Sequence, residues 1–304
     1  MEQYIKGLVS VVIPTYKRTD KLERAIDSVL SQSYKNLELL LVNDNVPGDE
    51  YTEALKEKVR KYESDPRFHL LMQDKHINGA VARNFAIRRA QGEYIAFLDD
   101  DDWWEPTKIE KQVKVLSELD SSWGGASCLI TQYDAEGRII GKTRKYREGK
   151  IYKDVIFMTT DVATGTLLLR HTALDDAGYF DESLLRYQDV QLLTQFTYYF
   201  KLKLVEECLH NADCSDAQNR LIDENKLNNA TNAYFKSTSS VINKLTLQER
   251  RCAIYIRKLL IGYVLLHHKQ YFRGIKYCSS VVLSPMACSK AIQIFKRKQK
   301  EKIF

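Results

Sequence analysis

Four consecutive aspartates, Asp99 to Asp102, stand in the stretch AFLDDDDWWEP (96–106), between an apolar run and two tryptophans. Like charges repel, so a packed chain gathers four of them only where something opposes the charge. Carboxylates at i and i+2 can both reach one hard divalent cation. Mg²⁺ and Mn²⁺ take oxygen ligands, and a diphosphate supplies more of them. The expectation is therefore an opposing charge that arrives with a nucleotide rather than from the sequence. The plainer alternative is a solvated acidic loop whose acids cap a helix over Trp103–Lys111.

The elements that must position these acids read as alternating strands and helices. LVSVVIP (8–14) is a mainly apolar run rich in β-branched residues, the pattern of a strand buried on both faces, with Pro14 ending it. Asp20 and Glu23 make a capping-box-like start to a helix with apolar Leu22, Ala25, Ile26, Val29 and Leu30. LELLLVN (37–43) is a second strand, about 50–63 a helix, and FHLLM (68–72) a third strand. Residues 79–90 read as a helix with Gly92 at its C-cap, and EYIAFL (93–98) as a fourth strand. Pro106 fits the first turn of a helix carrying Ile109, Val113, Leu116 and Leu119. This β-α-β-α order predicts a mainly parallel sheet with helices on both faces. The aspartates then lie past the carboxyl end of a buried strand, the edge where open α/β sheets bind ligands. Thr15 and Tyr16 after strand one, and Asn43 and Asp44 after strand two, converge on the same edge.

The remainder of the chain is read more coarsely. GASCLITQYDAEGRIIGK holds a strand pair with a turn at Asp134 to Gly137, and TGTLLLRHTAL (164–174) is a strand leading into a short helix. Gln188 and Asp189 begin another helix. The six cysteines form no C-x-x-C pair, so they read as free thiols of a reducing cytoplasm. MEQYIKG has no apolar core of a secretory leader, and the apolar run Leu259 to Leu266 falls far short of the roughly 20 residues a membrane span needs. The expected location is cytoplasmic. Net charge is +6, but residues 225–304 carry 16 Lys and Arg against Glu249 and Glu301, or +14, leaving −8 for residues 1–224. An acidic front and a basic tail suggest two parts with different partners.

The blocks VSVVIPTYKR (9–18), LLLVND (39–44), NGAVARNFAI (78–87), GEYIAFLDDDDWWEP (92–106) and AGYFDESLLRYQDVQLLTQF (177–196) resemble, in order and spacing, those of family 2 glycosyltransferases. The resemblance implies an α/β GT-A (nucleotide-diphospho-sugar transferase) fold over residues 1–215, with a basic helical extension over 216–304. It implies a metal-dependent inverting transfer, with Mn²⁺ or Mg²⁺, from a nucleotide sugar, commonly a UDP-sugar. The implied acceptor is a saccharide or lipid-linked saccharide in surface-polysaccharide or cell-wall glycan assembly. Pro14, Thr15 and Tyr16 would line the nucleoside pocket and Asp44 would contact the base. Arg83 would sit near the diphosphate, with Asp99 and Asp100 at the nucleotide. Asp101, with Asp99, would hold the metal, and Asp189 would be the general base for the acceptor hydroxyl. Trp103, Trp104, Thr164, Thr166, His171 and Arg186 are candidates to touch acceptor sugar, His171 the least of them.

Two positions depart from the family pattern. Asn43 replaces the first of two acids after strand two, and Gln188 stands where Glu commonly precedes the base. The tail, including RRCAIYIRKLLIGYVLLHHKQYF (250–272) and AIQIFKRKQKEKIF (291–304), mixes cations with apolar faces. It suits either docking on an anionic membrane surface or a helical cap on the catalytic domain. No nucleic-acid motif is present. The competing functions are a non-catalytic nucleotide-sugar or glycan-binding protein and a nucleotidyltransferase. The glycine-rich phosphate loop of the latter is not seen near Thr15.

Overall fold

The computed structural model describes residues 4–215 and 223–301. The expected boundary at residue 216 and the last residues of the basic tail, 302–304, lie outside these. Nine strands form one sheet in the order β3-β2-β1-β4-β8-β6-β9-β5, with β7 paired to β6. The first half is the expected parallel α/β unit: β1 (Ile5–Thr15), α1 (Leu22–Leu30), β2 (Leu37–Asn43), α2 (Glu50–Val59), β3 (Phe68–Met72), α3 (Gly79–Ile87) and β4 (Gly92–Phe97). β1 pairs in parallel with both β2 and β4, and β2 with β3. The order reverses between β1 and β4, which opens a crevice at their carboxyl ends.

The second half is mixed. It comprises β5 (Trp103–Trp104), α4 (Lys108–Ser117), the hairpin β6 (Trp123–Tyr133) and β7 (Ile139–Lys142), α5 (Tyr152–Ile156), β8 (Leu168–Arg170), α6 (His171–Ala177), α7 (Gln188–Tyr199) and β9 (Lys201–Asp213). β8 lies antiparallel to β4 and β6, whereas β6 and β9 run parallel. The hairpin turns at Asp134–Gly137 as expected, with Gly137 at φ +76° donating to the Asp134 carbonyl. α8 (Glu224–Ser237), α9 (Ser239–Ile242), α10 (Leu247–His267), α11 (Tyr271–Ser279) and α12 (Pro285–Glu301) complete the chain.

Apolar side chains from β1, β2 and β4 pack on both faces of the sheet. One face carries α1 and α4, the other α3, α6 and α7. A third cluster joins Ile156 and Phe157 to Val241, Leu245, Cys252, Ile256 and Ala287, so the helical extension is packed on the α/β part. Ion pairs of Lys153 with Glu249 and of Arg297 with Asp161 tie the same seam.

Several local expectations are corrected. β1 starts at Ile5 and keeps Pro14 in register with Val42. The ring is tolerated because pairing with β4 stops at Val12–Phe97, so the missing N–H has no partner to serve. α1 has no capping box: Lys21 is its N-cap without a side-chain bond, and Glu23 pairs with Lys61 instead. α3 ends at Ile87 with Arg88 as C-cap, and Gly92 opens β4. A Cβ on Gly92 would meet the Leu8 carbonyl at 2.6 Å, so the glycine serves close strand packing rather than a helix end. The two tryptophans form a short strand, and the following helix begins only at Lys108.

Candidate active site

A cleft of about 410 Å³ opens at the carboxyl ends of β1, β2 and β4. Its walls include Pro14, Thr15, Tyr16, Asp44, Arg83, Asp99, Asp100 and Asp101, all assigned to this edge from sequence. Arg18, His76 and Gly79 complete the lining and were not singled out there.

The four aspartates do not share one counterion. Arg83 donates to Asp99 Oδ1 at 2.6 Å and Arg18 to Asp101 Oδ2 at 2.6 Å. Asp100 accepts from Thr15 Oγ1 at 2.7 Å. Asp102 turns away: it accepts from the Asp213 backbone N–H and faces His210 Nε2 at 3.1 Å, tying the loop to β9. The expectation that no residue of the chain opposes the run is thus corrected. Two arginines do, and the corner is still short of positive charge. Burial, with Asp101 adding repulsion, pushes the Asp100 carboxyl up to about 7. Burial, then the neighbouring Asp102 and Asp99, pushes Asp101 up to about 6.

Among the described residues no three His, Cys, Asp or Glu side chains form a ready metal cage. Asp99 and Asp101 nevertheless offer hard oxygens at i and i+2, which suits Mg²⁺ or Mn²⁺ when a ligand adds its own oxygens. Arg83 Nε is buried without a hydrogen-bond partner, a spare donor beside the acids. A Cβ on Gly79 would meet Arg83 Nη1 at 2.8 Å, so that glycine clears the path of the guanidinium across the start of α3.

The other wall is aromatic. Tyr16 and His76 stack with ring centres 3.7 Å apart. Asp44, buried beneath them, accepts from Gln73 Nε2 at 2.9 Å and lies 2.9 Å from His76 Nδ1. Burial raises the Asp44 pKa, with His76 acting against it. Asn43 is a loop anchor: its side-chain oxygen accepts from the Asn45 backbone and amide, and its nitrogen donates to Thr52. His76 lies in DKHINGA, between β3 and α3, so its signal was a fourth loop reaching the same edge. Arg18 closes the quoted VSVVIPTYKR block.

Asp189 lies in the first turn of α7. Asp189 is not among the residues that line the cleft, but the segment before its turn is tied to α3. Asn78 caps α3 through its side-chain oxygen and donates to the Glu182 carbonyl. Asn84 donates to the Phe180 carbonyl and to Glu182 Oε1, both at 2.9 Å. Gln188 Oε1 lies 3.6 Å from where a Cβ on Gly79 would stand, so the start of α7 borders the cleft. In the Ala82-Arg83-Asn84 triplet, Arg83 serves the cleft and Asn84 holds the segment that leads to Asp189.

The acceptor candidates separate. Trp103 and Arg186 are half-buried, with the Arg24 guanidinium 3.9 Å over the Trp103 ring. Trp104 is instead core: its indole donates to the Gly165 carbonyl at 2.9 Å, beneath the ammonium of buried Lys108. Thr164 and Thr166 are buried, and Thr166 Oγ1 donates to the Ala163 carbonyl. His171 is buried too, stacked on Tyr4 with Nδ1 at the Gly92 carbonyl.

The sheet order and the helices that flank it are those of the GT-A fold. Solved structures share it: a TarS 1–349 complex with UDP-GlcNAc from S. aureus superposes with a TM-score of 0.59 at 14% identity, over 96% of this chain and 92% of that one. The mannosyltransferase PcManGT of Pyrobaculum calidifontis, in complex with GDP-Man and Mn²⁺, gives 0.59 at 15% identity, over 96% and 79%. The family model for glycosyl transferase family 2 matches residues 10–177, and the chain belongs to that family; it is a glycosyltransferase. An uncharacterized glycosyltransferase of Rickettsia typhi is 30% identical over 246 residues, 80% of this chain and 74% of that protein. The putative teichuronic acid biosynthesis glycosyltransferase TuaG of Bacillus subtilis is 40% identical over 114 residues, and this match spans 37% of the chain and only 43% of that relative.

Proposed function

We propose that this glycosyltransferase moves a sugar from a UDP-sugar, with inversion and with a divalent metal, to a saccharide or lipid-linked saccharide acceptor of a bacterial surface polysaccharide. The observation that carries the reading is one cleft holding an aromatic shelf, a buried carboxylate and an arginine–aspartate corner. Tyr16 and His76 offer a face to a base, and Asp44 beneath them an acceptor for an imide N–H such as that of uracil. In this reading Thr15 and Asp100 meet the ribose, and Arg18 and Arg83 the phosphates, which a bidentate guanidinium grips well. TarS in complex with UDP-GlcNAc supports the donor class, and TuaG, named for teichuronic acid biosynthesis, supports the setting.

Asp189 takes the proton of the acceptor hydroxyl as that oxygen attacks the anomeric carbon opposite the leaving diphosphate. Arg83 and Arg18 donate to the diphosphate as its negative charge grows. A divalent cation, when bound by Asp101 and Asp99, supplies further neutralisation of that leaving group. Arg18 holds Asp101 Oδ2 here and would have to release that oxygen for Asp101 to hold a cation through it.

Residues 1–215 form the transferase unit in this reading, and the extension docks at the cytoplasmic face of the membrane. Among the described residues no single helix is long and apolar enough to cross a membrane. The support for docking is an apolar rim with cations around it. Phe272 is 87% and Leu283 69% exposed, with Tyr271, Ile275 and Val282 beside them and Lys269, Arg273 and Lys276 in the same stretch. The helical run over 271–283 and α12 meet at a bend of 120°, which brings Val282 and Leu283 to an apex.

The test is UDP release from a panel of nucleotide sugars with and without Mn²⁺, in wild type, Asp101→Ala and Asp189→Ala. Turnover of one donor that needs Mn²⁺ and is lost in both variants is expected, and it names the donor. Binding of UDP with turnover of no UDP-sugar, even with lipid-linked saccharide added, would overturn the reading.

A further inference from the structure

The helical extension sends one cation into the body of the protein. Arg257 of α10 is 1% exposed and among the largest fully buried side chains. None of its three guanidinium nitrogens has a hydrogen-bond partner among the described residues. Its guanidinium carbon lies 4.9 Å from the ring centre of Tyr187 and 4.5 Å from that of Tyr234. Those rings meet edge to face at 6.2 Å. Tyr234 is itself pinned to α7, its hydroxyl 2.9 Å from Thr194 Oγ1.

Stability alone does not explain an arginine here. A buried guanidinium with unmet donors is unfavourable, and an apolar side chain of similar length would fill the space without that cost. What arginine adds is a flat cationic face that attracts an aromatic ring more strongly once water is excluded. One of the two rings has a special backbone. Tyr187 sits at φ +61°, ψ 25°, the left-handed region that a bulky residue rarely adopts. It is the N-cap of α7, and its carbonyl accepts the Gln191 N–H at 2.8 Å, closing the turn that carries Gln188 and Asp189.

We infer that Arg257 is a positioning residue: by clamping the Tyr187 ring it holds the left-handed cap from which the first turn of α7, carrying Gln188 and Asp189, starts beside Gly79 of the cleft. The extension thereby completes the acceptor side of the site, while the nucleotide side is built without it. This rests on Asp189 being the base, so the experiment reads the clamp and the base separately.

The clamp is read by hydrogen–deuterium exchange on the full chain, comparing wild type with Arg257→Met. Exchange over residues 185–195 is expected to quicken about tenfold, with β1 unchanged, because the cap is released locally. Unchanged exchange over 185–195 would overturn the inference. The consequence is read by UDP release from UDP-glucose and UDP-N-acetylglucosamine with Mn²⁺, and by UDP affinity. Arg257→Met is expected to lower kcat about tenfold or more and leave the UDP Kd within about twofold. Arg257→Lys, which keeps the cation, is expected to recover part of the loss. In an Asp189→Asn background Arg257→Met is expected to add less than about twofold, since the two act as one unit. A loss that multiplies fully in that background, or one that appears in UDP affinity instead of kcat, would overturn it. If Asp189→Asn alone leaves turnover intact, the base assignment fails, while the exchange result still decides the clamp.

Discussion

The acidic edge of the sheet and the basic helical end of the chain treat charge in opposite ways. At the edge, Asp99, Asp100 and Asp101 crowd against one another with two arginines and a threonine, and Asp100 and Asp101 are held above the usual carboxylate range by burial. In residues 225–304 the net charge of +14 is spread over helices beside exposed apolar side chains. Concentrated and desolvated charge is unfavourable in the resting protein and is relieved when a ligand of the right sign binds. Dispersed, solvated charge contributes little to the fold and acts instead on the surroundings, as steering or surface association. Arg257 crosses the divide: it belongs to the basic end and is buried in the body of the protein.

The contrast is broken most severely by removing a charge that touches the reacting atoms. Asp189→Asn is expected to lower the rate of UDP release by about 10² to 10⁴, the usual contribution of a positioned general base, with UDP affinity kept. Steady-state kinetics beside calorimetric UDP titration checks it. Asp102 offers a sharper division within the acidic run. It serves His210 and the Asp213 N–H rather than the cleft, so Asp102→Ala is expected to cost about 1–3 kcal/mol of stability through the groups left unpaired. Denaturant unfolding measures this, and loss of UDP binding in a still-folded variant would contradict the division.

At the basic end, each of Lys269, Arg273 and Lys276 changed to Gln is expected to weaken binding to phosphatidylglycerol-containing vesicles by about 1 kcal/mol. Melting temperature is expected to stay nearly fixed. Vesicle sedimentation tests this, and binding indifferent to all three would remove the surface role. A further test is a dependence on pH. The folded-state pKa of Asp100 is raised, so its contribution to stability is present below the unfolded carboxyl pKa and is lost as pH rises through about 7. In metal-free protein, Asp100→Asn is expected to flatten the decline in stability from about pH 4 to pH 7. Thermal melts across that range check the sign.

Much of the nucleotide half was legible because its signals are local. Val9 to Ile13, Leu37 to Val42 and Tyr94 to Leu98 are buried strands that read as mainly apolar runs, broken only by Ser10 and Glu38, and polar residues follow each run at the carboxyl end. A sheet of this order brings those ends together, so Thr15, Asp44 and Asp99–Asp101 were placed at one edge from sequence. The errors fell where two partners compete for one residue. Gly92 reads as a helix cap by spacing, but the Leu8 carbonyl and Ser10 claim its position. Trp104 reads, like Trp103, as a candidate to touch acceptor sugar, but alternation in a two-residue strand turns its ring inward to the Gly165 carbonyl.

From residue order alone follow the periodicity of each element, the parallel half of the sheet, the chemistry at its edge and the separation of acidic from basic parts. These depend on neighbours in sequence, whose spacing the backbone geometry fixes. Tertiary structure alone decided which arginine meets which aspartate, that His76 stacks on Tyr16, that Asn84 holds the segment before α7, and that Arg257 reaches Tyr187. Each of these contacts joins residues far enough apart that no local pattern encodes it. They exist because the packed sheet and helices leave those side chains a single place to go.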